Sequence, residues 1–210
     1  MSVFKHFARL AMLLLCFSLF ASPASAASDA RVTLEKTVDV ILGILKDPAY
    51  RVSSSRPALR DKIEAEVHHI FDFDEFSSRT VGANWRSFTP DQKKRFTEAF
   101  AQLLRATYLE KIDAYNGEKI AYTGEVSSAK GDKVEVQTAV TLKDNKVVPV
   151  SYRMLEKNGR WVVYDVIIEG ISLVKNYRSQ FQDLLTRGTP DQLIDLVNRK
   201  AEEVRNQPAK

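Results

Sequence analysis

The chain has 210 residues, with 31 lysines and arginines, 27 aspartates and glutamates, and one cysteine. A formal net charge of +4 and the lack of a basic stripe interleaved with aromatic residues argue against a nucleic-acid-binding protein. The length is typical of one domain that buries a sizeable core.

The first residues have the pattern of a secretory signal peptide. Lys5 and Arg9 precede an apolar run over residues 10–20, and Ala24-Ser25-Ala26 then follows as a cleavage site. The run is shorter than the roughly 20 residues of a membrane-spanning helix. We therefore predict that residues 1–26 are removed from the exported protein.

Residues 27–210 are then expected to form a single domain, with 29 basic and 27 acidic side chains and a net charge of +2. The cysteine, Cys16, lies in the predicted signal peptide. Without a thiol, the exported chain cannot form disulfides, cysteine nucleophiles or thiolate metal sites. Its stability is expected to come from a packed core.

Helical spacing of apolar residues, together with capping motifs, predicts helices before and after a central β region. Ser28 caps a first helix that Pro48 ends, and Asp72 caps a short one. Thr89-Pro90-Asp91-Gln92 is a capping box for a long helix. The same four residues recur at 189–192 and begin the last helix.

From Ile120 onward the apolar period changes to two, which predicts a four-stranded antiparallel meander. Asp144-Asn145 and Asn158-Gly159 have the composition of two-residue hairpin turns. We therefore predict an α+β fold in which helices at both ends of the chain pack around this meander.

If both hairpin turns have two residues, Tyr152 lies opposite Asp165, and both faces of the sheet are apolar. One face then carries Val136, Val140, Val147, Leu155, Val166 and Ile168, and the other carries Val148, Val150, Tyr152, Met154 and Val163. In an antiparallel sheet with one solvent-exposed face, apolar and polar residues should alternate more regularly along each strand. Either helices cover both faces, or a helical layer stands off the sheet and leaves an apolar cavity.

The sequence offers few groups for catalysis. Asp165 interrupts an apolar strand, where a buried carboxylate needs a partner such as Tyr152 or a helix arginine. Its alternative role is the general base of a small-molecule enzyme. His68 and His69 point about 100° apart on a helix and cannot share one metal ion. We therefore expect that the chain is not an enzyme and that it binds neither a metal ion nor a cofactor.

Two segments carry a family resemblance. The first runs from Phe71-Asp72-Phe73 through Ser78-Arg79, Gly82, Trp85-Arg86, Thr89 and Gln92 to Phe96, and the second comprises Trp161, Tyr164-Asp165-Val166, Glu169 to Val174, Asn176-Tyr177-Arg178 and Gln180-Phe181. Both resemble the MlaC family of periplasmic phospholipid-binding proteins, also called toluene-tolerance proteins. One departure is Val81 before Gly82, where leucine is expected.

The resemblance implies a curved sheet, periplasmic localisation and phospholipid as cargo. It also implies a shuttle between an outer-membrane lipoprotein-porin complex and an inner-membrane ABC transporter, which maintains outer-membrane lipid asymmetry. We expect a monomer. We expect the lipid to lie between one sheet face and the helices, against Phe100, Leu104, Tyr108, Val136, Val140, Val147, Val166, Ile168 and Val174.

Overall fold

A computed structural model of the chain describes residues 28–206, apart from the side chains of residues 109 and 110. The predicted signal peptide and Cys16 lie outside the described residues. Within the described part, six helices flank a five-stranded antiparallel sheet, so the predicted α+β fold is confirmed. None of these helices is long and apolar enough to cross a membrane.

The elements follow the predicted order, with one additional short strand. The helices are α1 (Asp29–Lys46), α2 (Arg56–Ile70), α3 (Phe73–Val81), α4 (Pro90–Asp113), α5 (Leu173–Arg187) and α6 (Pro190–Asn206). The strands are β1 (Lys119–Ser127), β2 (Lys133–Thr141), β3 (Val147–Lys157), β4 (Arg160–Ile168) and β5 (Ile171–Ser172). The sheet is a simple meander with β1 at one edge.

Local capping chemistry begins the helices where the sequence predicts. The Ser28 hydroxyl accepts the Arg31 N–H at 3.2 Å, and Asp72 accepts the Glu75 N–H at 3.0 Å. Such caps satisfy backbone donors that have no partner inside a helix. At the start of α4, the Thr89 hydroxyl and the Gln92 side chain accept each other's backbone N–H groups.

Two register differences change the sheet from the predicted one. The β2–β3 loop has three residues, 143–145, between Leu142 and Lys146, and Asn145 adopts a left-handed φ of 63°. The Asn158-Gly159 turn has two residues as predicted, but β4 bulges at Tyr164. Tyr152 therefore lies opposite Val166, and the predicted pairing with Asp165 is wrong.

Because a shift of one residue moves a strand's side chains to the other face, β3 is inverted relative to the prediction. Val148, Val150, Tyr152 and Met154 share the inner face with Val136, Val140, Val166 and Ile168. The outer face of β2 and β3 carries Glu135, Gln137, Ser151 and Arg153, together with the exposed Val147. Over β2 and β3, the sheet therefore has one apolar face, not two.

The described residues form two main apolar clusters. One is an aromatic core among α3, α4, α5 and α6, in which the rings of Phe76, Phe96, Phe100 and Phe181 pack in stacked and edge-to-face pairs, with centroids 5.5 to 5.8 Å apart. The other packs α1 on the inner face of the sheet. Helix α4 belongs to the first cluster as far as Tyr108. A smaller third cluster joins α1 and α2 around Leu45, Tyr50 and Ile63, and Ile112 near the end of α4 packs against it.

Candidate functional site

A cavity of about 1220 Å³ lies between the inner face of the sheet and helices α1, α2 and α4. This volume exceeds the roughly 300–1,000 Å³ of most small-molecule pockets. The inner face forms the floor, α1 and α2 form one wall, and the C-terminal turns of α4 form the other. The cavity is therefore large enough for an extended apolar ligand.

The cavity lining is mainly apolar, and much of it is only partly buried. These partly buried side chains come from the sheet and from α1, α2 and α4: Val38, Ile41, Leu42, Val67, Tyr108, Ile112, Ile120, Val140 and Ile168. In a closed core they would lose contact with water and gain dispersion contacts on every side. An apolar ligand would supply the missing contacts.

Polar side chains stand at the edges of the cavity. Between α2 and α4, Glu64 accepts a hydrogen bond from Arg105 at 2.8 Å. Outside the cavity lining, at the end of α4, Asp113 is bound by the Tyr50 hydroxyl and the Arg60 guanidinium. These ion pairs attach the C-terminal half of α4 to the α1–α2 side of the molecule and so maintain the cavity wall.

Two tyrosines on the cavity lining remain protonated at neutral pH. Burial raises the pKa of Tyr108 on α4 and that of Tyr152 on the sheet floor, because a low-dielectric environment disfavours the phenolate. Neither hydroxyl therefore brings charge into the cavity at physiological pH.

The cavity includes five of the nine residues expected from the sequence, namely Leu104, Tyr108, Val140, Val166 and Ile168. Phe100 and Val174 lie in the aromatic core, where both are buried by neighbouring helices. Val136 is fully buried under α1. Val147 is 54% exposed on the outer face, because the three-residue loop inverts β3.

The sequence reasoning missed the contribution of α1 and α2. Val38, Ile41 and Leu42 of α1 and Val67 of α2 line the cavity. Their helical spacing did indicate a buried side of each helix. Spacing alone does not show whether that side meets a neighbouring side chain or a void.

Asp165, the candidate general base, does not line the cavity. The side chain is 2% exposed and accepts hydrogen bonds from the Ser172 hydroxyl at 2.7 Å and the Val174 N–H at 3.0 Å. Arg153 lies 3.3 Å from the same carboxylate. These bonds fix the start of α5 to the sheet, and they give the carboxylate an architectural role.

His68 and His69 both line the cavity, and the ring of His68 lies 4.9 Å from that of Phe73. Among residues 28–206, no group of three or more histidine, cysteine or carboxylate side chains is arranged to hold a metal ion.

Comparison with known proteins identifies the family. A family model described as MlaC protein matches residues 35–199. The chain belongs to the MlaC family. The toluene tolerance protein ttg2D of Pseudomonas putida is 30% identical over 186 residues, which cover 87% of this chain and 83% of that protein. The intermembrane phospholipid transport system binding protein MlaC of Haemophilus influenzae is 20% identical, over 95% of this chain and 94% of that protein.

A solved structure of this kind shares the fold. The phospholipid-binding protein from Ralstonia solanacearum, in complex with a phospholipid, superposes with a TM-score of 0.74 at 25% identity. The match covers 84% of this chain and 99% of that one. The MlaC-family architecture therefore extends over nearly the whole described chain.

Proposed function

We propose that this chain carries phospholipid in the cavity between its sheet and its helices. The observation that carries the proposal is the apolar cavity of about 1220 Å³, much of whose lining is only partly buried. Support also comes from the Ralstonia solanacearum protein, which shares the fold and was solved with a phospholipid.

The physical need for such a carrier is large. At about 0.8 kcal/mol per methylene, exposing one acyl chain of about 15 methylenes to water costs roughly 12 kcal/mol. A phospholipid has two chains, so unassisted transit through an aqueous compartment is very slow. A cavity lined by aliphatic and aromatic side chains offsets most of this free energy.

In the proposed function, the carrier works in the periplasm as a monomer. It moves lipid between an outer-membrane lipoprotein-porin complex and an inner-membrane ABC transporter, and it thereby maintains outer-membrane lipid asymmetry. The name of the Haemophilus influenzae relative, an intermembrane phospholipid transport system binding protein, supports this assignment. The carrier acts without catalysis, and the lipid is its cargo.

Organic extraction followed by mass spectrometry tests the proposal. Protein purified from cells without detergent should release phospholipid in near-stoichiometric amount. An empty protein that also fails to take up phospholipid from vesicles would contradict the proposal.

Matched variants locate the lipid within the molecule. Val140→Glu and Leu42→Glu place a carboxylate in the cavity, where desolvation of the charge opposes acyl-chain binding. We expect each to lose most of the extractable lipid while circular dichroism shows a folded chain. Val147→Glu and Val40→Glu introduce the same charge at exposed positions nearby and should keep wild-type lipid. Equal lipid in all four variants would place the lipid elsewhere.

A further inference from the structure

On the edge strand β1, the carboxylate of Glu125 binds the residue that caps α1. Its Oε1 atom accepts the Ser28 N–H at 3.1 Å, and its Oε2 atom accepts the Ser28 hydroxyl at 2.6 Å. The same serine accepts the Arg31 N–H and so begins the helix. Because α1 forms part of the cavity wall, Glu125 fixes the start of that wall to the sheet.

A bulge in β1 directs Glu125 toward α1. The pairing with β2 skips one residue between Tyr122 and Gly124, so Tyr122 and Glu125 both lie on the inner face, and Glu125 lies opposite the buried Val136. Without the extra residue, Glu125 would lie on the outer face, because successive side chains of a strand alternate. Bulges commonly reorient a side chain in this way.

The Glu125 carboxylate has no cationic partner within the described part of the chain. It is partly buried and forms no ion pair with any of residues 28–206. Arg31 lies nearby, but its guanidinium donates to Glu35 at 2.7 Å and lies over the Tyr122 ring. A carboxylate that is partly removed from water is unfavourable without a counter-charge. Its bonds to Ser28 leave acceptor sites open, so the site can accept a cation.

Removal of the predicted signal peptide would create a cation beside Ser28. Hydrolysis of the Ala26–Ala27 peptide bond by a signal peptidase consumes one water and gives a carboxylate on Ala26 and an α-ammonium on Ala27. Three covalent bonds join this nitrogen to the Ser28 nitrogen, so the two atoms are at most about 4 Å apart. In the precursor, the same nitrogen belongs to a neutral peptide bond.

An ammonium in front of a helix needs a nearby carboxylate. The N-terminus of a helix carries partial positive charge, which repels a cation. Asp29, an exposed residue in the first turn, lies on α1 itself, so pairing with it would not attach the helix to anything else. Glu125 lies on the sheet, so pairing with it would attach α1 to β1.

We propose that Glu125 is the binding site for the N-terminal ammonium of the exported chain, and that removal of the signal peptide thereby completes the attachment of α1 to the sheet. The precursor has the Ser28 hydrogen bonds alone, and the exported chain adds an ion pair to them. Since α1 forms part of the cavity wall, the exported chain retains phospholipid longer than the precursor. This last step rests on the proposed function, whereas the ion pair does not.

The titration of the N-terminus tests the ion pair in exported protein. Intact mass and N-terminal sequencing should give Ala27 as the first residue, and a different first residue would overturn the proposal. NMR titration of alanine-labelled protein then measures the pKa of the α-amino group. We expect it to lie about half a unit or more above the usual value of about 8, because Glu125 favours the ammonium.

Two variants assign this pKa to its cause. Glu125→Gln removes the charge but keeps an acceptor for Ser28, and the pKa of the α-amino group should return to its usual value. Glu156→Gln makes the same change at an exposed position near the end of β3 and should leave the wild-type pKa. Equal pKa values in all three proteins would overturn the ion pair.

Hydrogen exchange tests the attachment of α1. Selective acetylation of the α-amino group restores a neutral amide, as in the precursor. In wild-type protein this should speed amide exchange in α1 by about threefold or more, the scale of a partly exposed ion pair. In Glu125→Gln the same acetylation should have no effect on α1, and in both proteins exchange in α6 should stay constant. Equal acceleration of α1 in wild type and Glu125→Gln would overturn the proposal.

Transfer of phospholipid from loaded protein to vesicles separates the two levels of the inference. We expect acetylated wild-type protein and Glu125→Gln to release lipid faster than untreated wild type and Glu156→Gln. If the pKa and exchange respond but the release rates are equal, the ion pair stands and its link to the cavity is overturned. If the exported protein neither contains nor takes up phospholipid, the proposed function fails while the ion pair stands.

Discussion

The aromatic core and the cavity are built partly from the same helix, yet they differ in how they are packed. In the N-terminal half of α4, Phe96 and Phe100 are fully buried among aromatic rings. In its C-terminal half, Tyr108 and Ile112 remain partly exposed to a void. Tyr108 packs against the aromatic core and Ile112 packs against the cluster of α1 and α2, but both side chains also border the cavity, whereas Phe96 and Phe100 do not.

This contrast indicates that close packing in the aromatic core allows the region around the cavity to remain open. The side chains of the aromatic core are closely packed, and burial raises the pKa of the Tyr177 hydroxyl there to about 12. The side chains that line the cavity lack such close packing and the dispersion contacts that it provides. Stability is expected to reside mainly in the aromatic core, while ligand binding resides in the cavity.

The largest effect is expected from truncation in the aromatic core. Phe100 is fully buried, with the rings of Phe76, Tyr177 and Phe181 within 5.6 Å. Phe100→Ala should lower the free energy of unfolding by about 3–5 kcal/mol. Ile112→Ala, on the cavity side, should cost about 1 kcal/mol, because its environment is already open. Urea unfolding of delipidated protein measures both, and equal losses would contradict the division into two regions.

A smaller loss of unfolding free energy is expected from substitution of Asp165, where β4 meets the start of α5. Asp165→Ala removes the acceptor for the Ser172 hydroxyl and the Val174 N–H, and it leaves Arg153 without this partner. The unfolding free energy should fall by about 2–4 kcal/mol. Glu135→Ala removes the more exposed partner of the same arginine and should cost at most about 1 kcal/mol.

The two Asp165 outcomes also separate architecture from chemistry. Asp165→Ala should still release phospholipid on extraction if the variant is studied at a temperature where it remains folded. If its unfolding matched that of Glu135→Ala, the carboxylate would not fix the corner between β4 and α5.

Local chemistry made much of this fold predictable. Ser28, Asp72 and Thr89 cap helices through contacts within four residues, and these are visible in the sequence. The face of β3 was not predictable, since it depends on one extra loop residue and on the bulge at Tyr164. Each register difference shifts the pairing by one residue, so β3 changes face relative to both of its neighbours while β2 and β4 keep the same face relative to each other. Val140 and Val166 were therefore assigned correctly to one face, although the side chains assigned to that face from β3 were wrong.

The cavity was harder to predict from the sequence than the fold. Phe100, Leu104 and Tyr108 follow one helical spacing, but only the last two line the cavity. The boundary between them depends on where α5 and α6 cover α4, which is a property of tertiary packing. For the same reason, the inward faces of α1 and α2 gave no sign that they border a void.

The smallest expected effect is a change in titration. Burial raises the pKa of both Tyr108, which lines the cavity, and Tyr164, which lies under the Arg79 guanidinium outside it. Acyl chains packed on Tyr108 would desolvate its hydroxyl further and raise its pKa above that of the empty protein. NMR titration of labelled tyrosines should show this increase on lipid loading, while Tyr164 titrates alike in both forms.

The sign of this shift fixes the pH dependence of binding. Because the lipid-bound form holds the Tyr108 proton more tightly, this contribution to affinity is fully present below the pKa of the empty form. It is lost as the pH rises through the pKa of the loaded form, in the alkaline range above about 10 where tyrosine normally ionises. If Tyr108 titrates identically with and without lipid, the acyl chains do not reach the α4 wall, and the open half of α4 must serve another purpose.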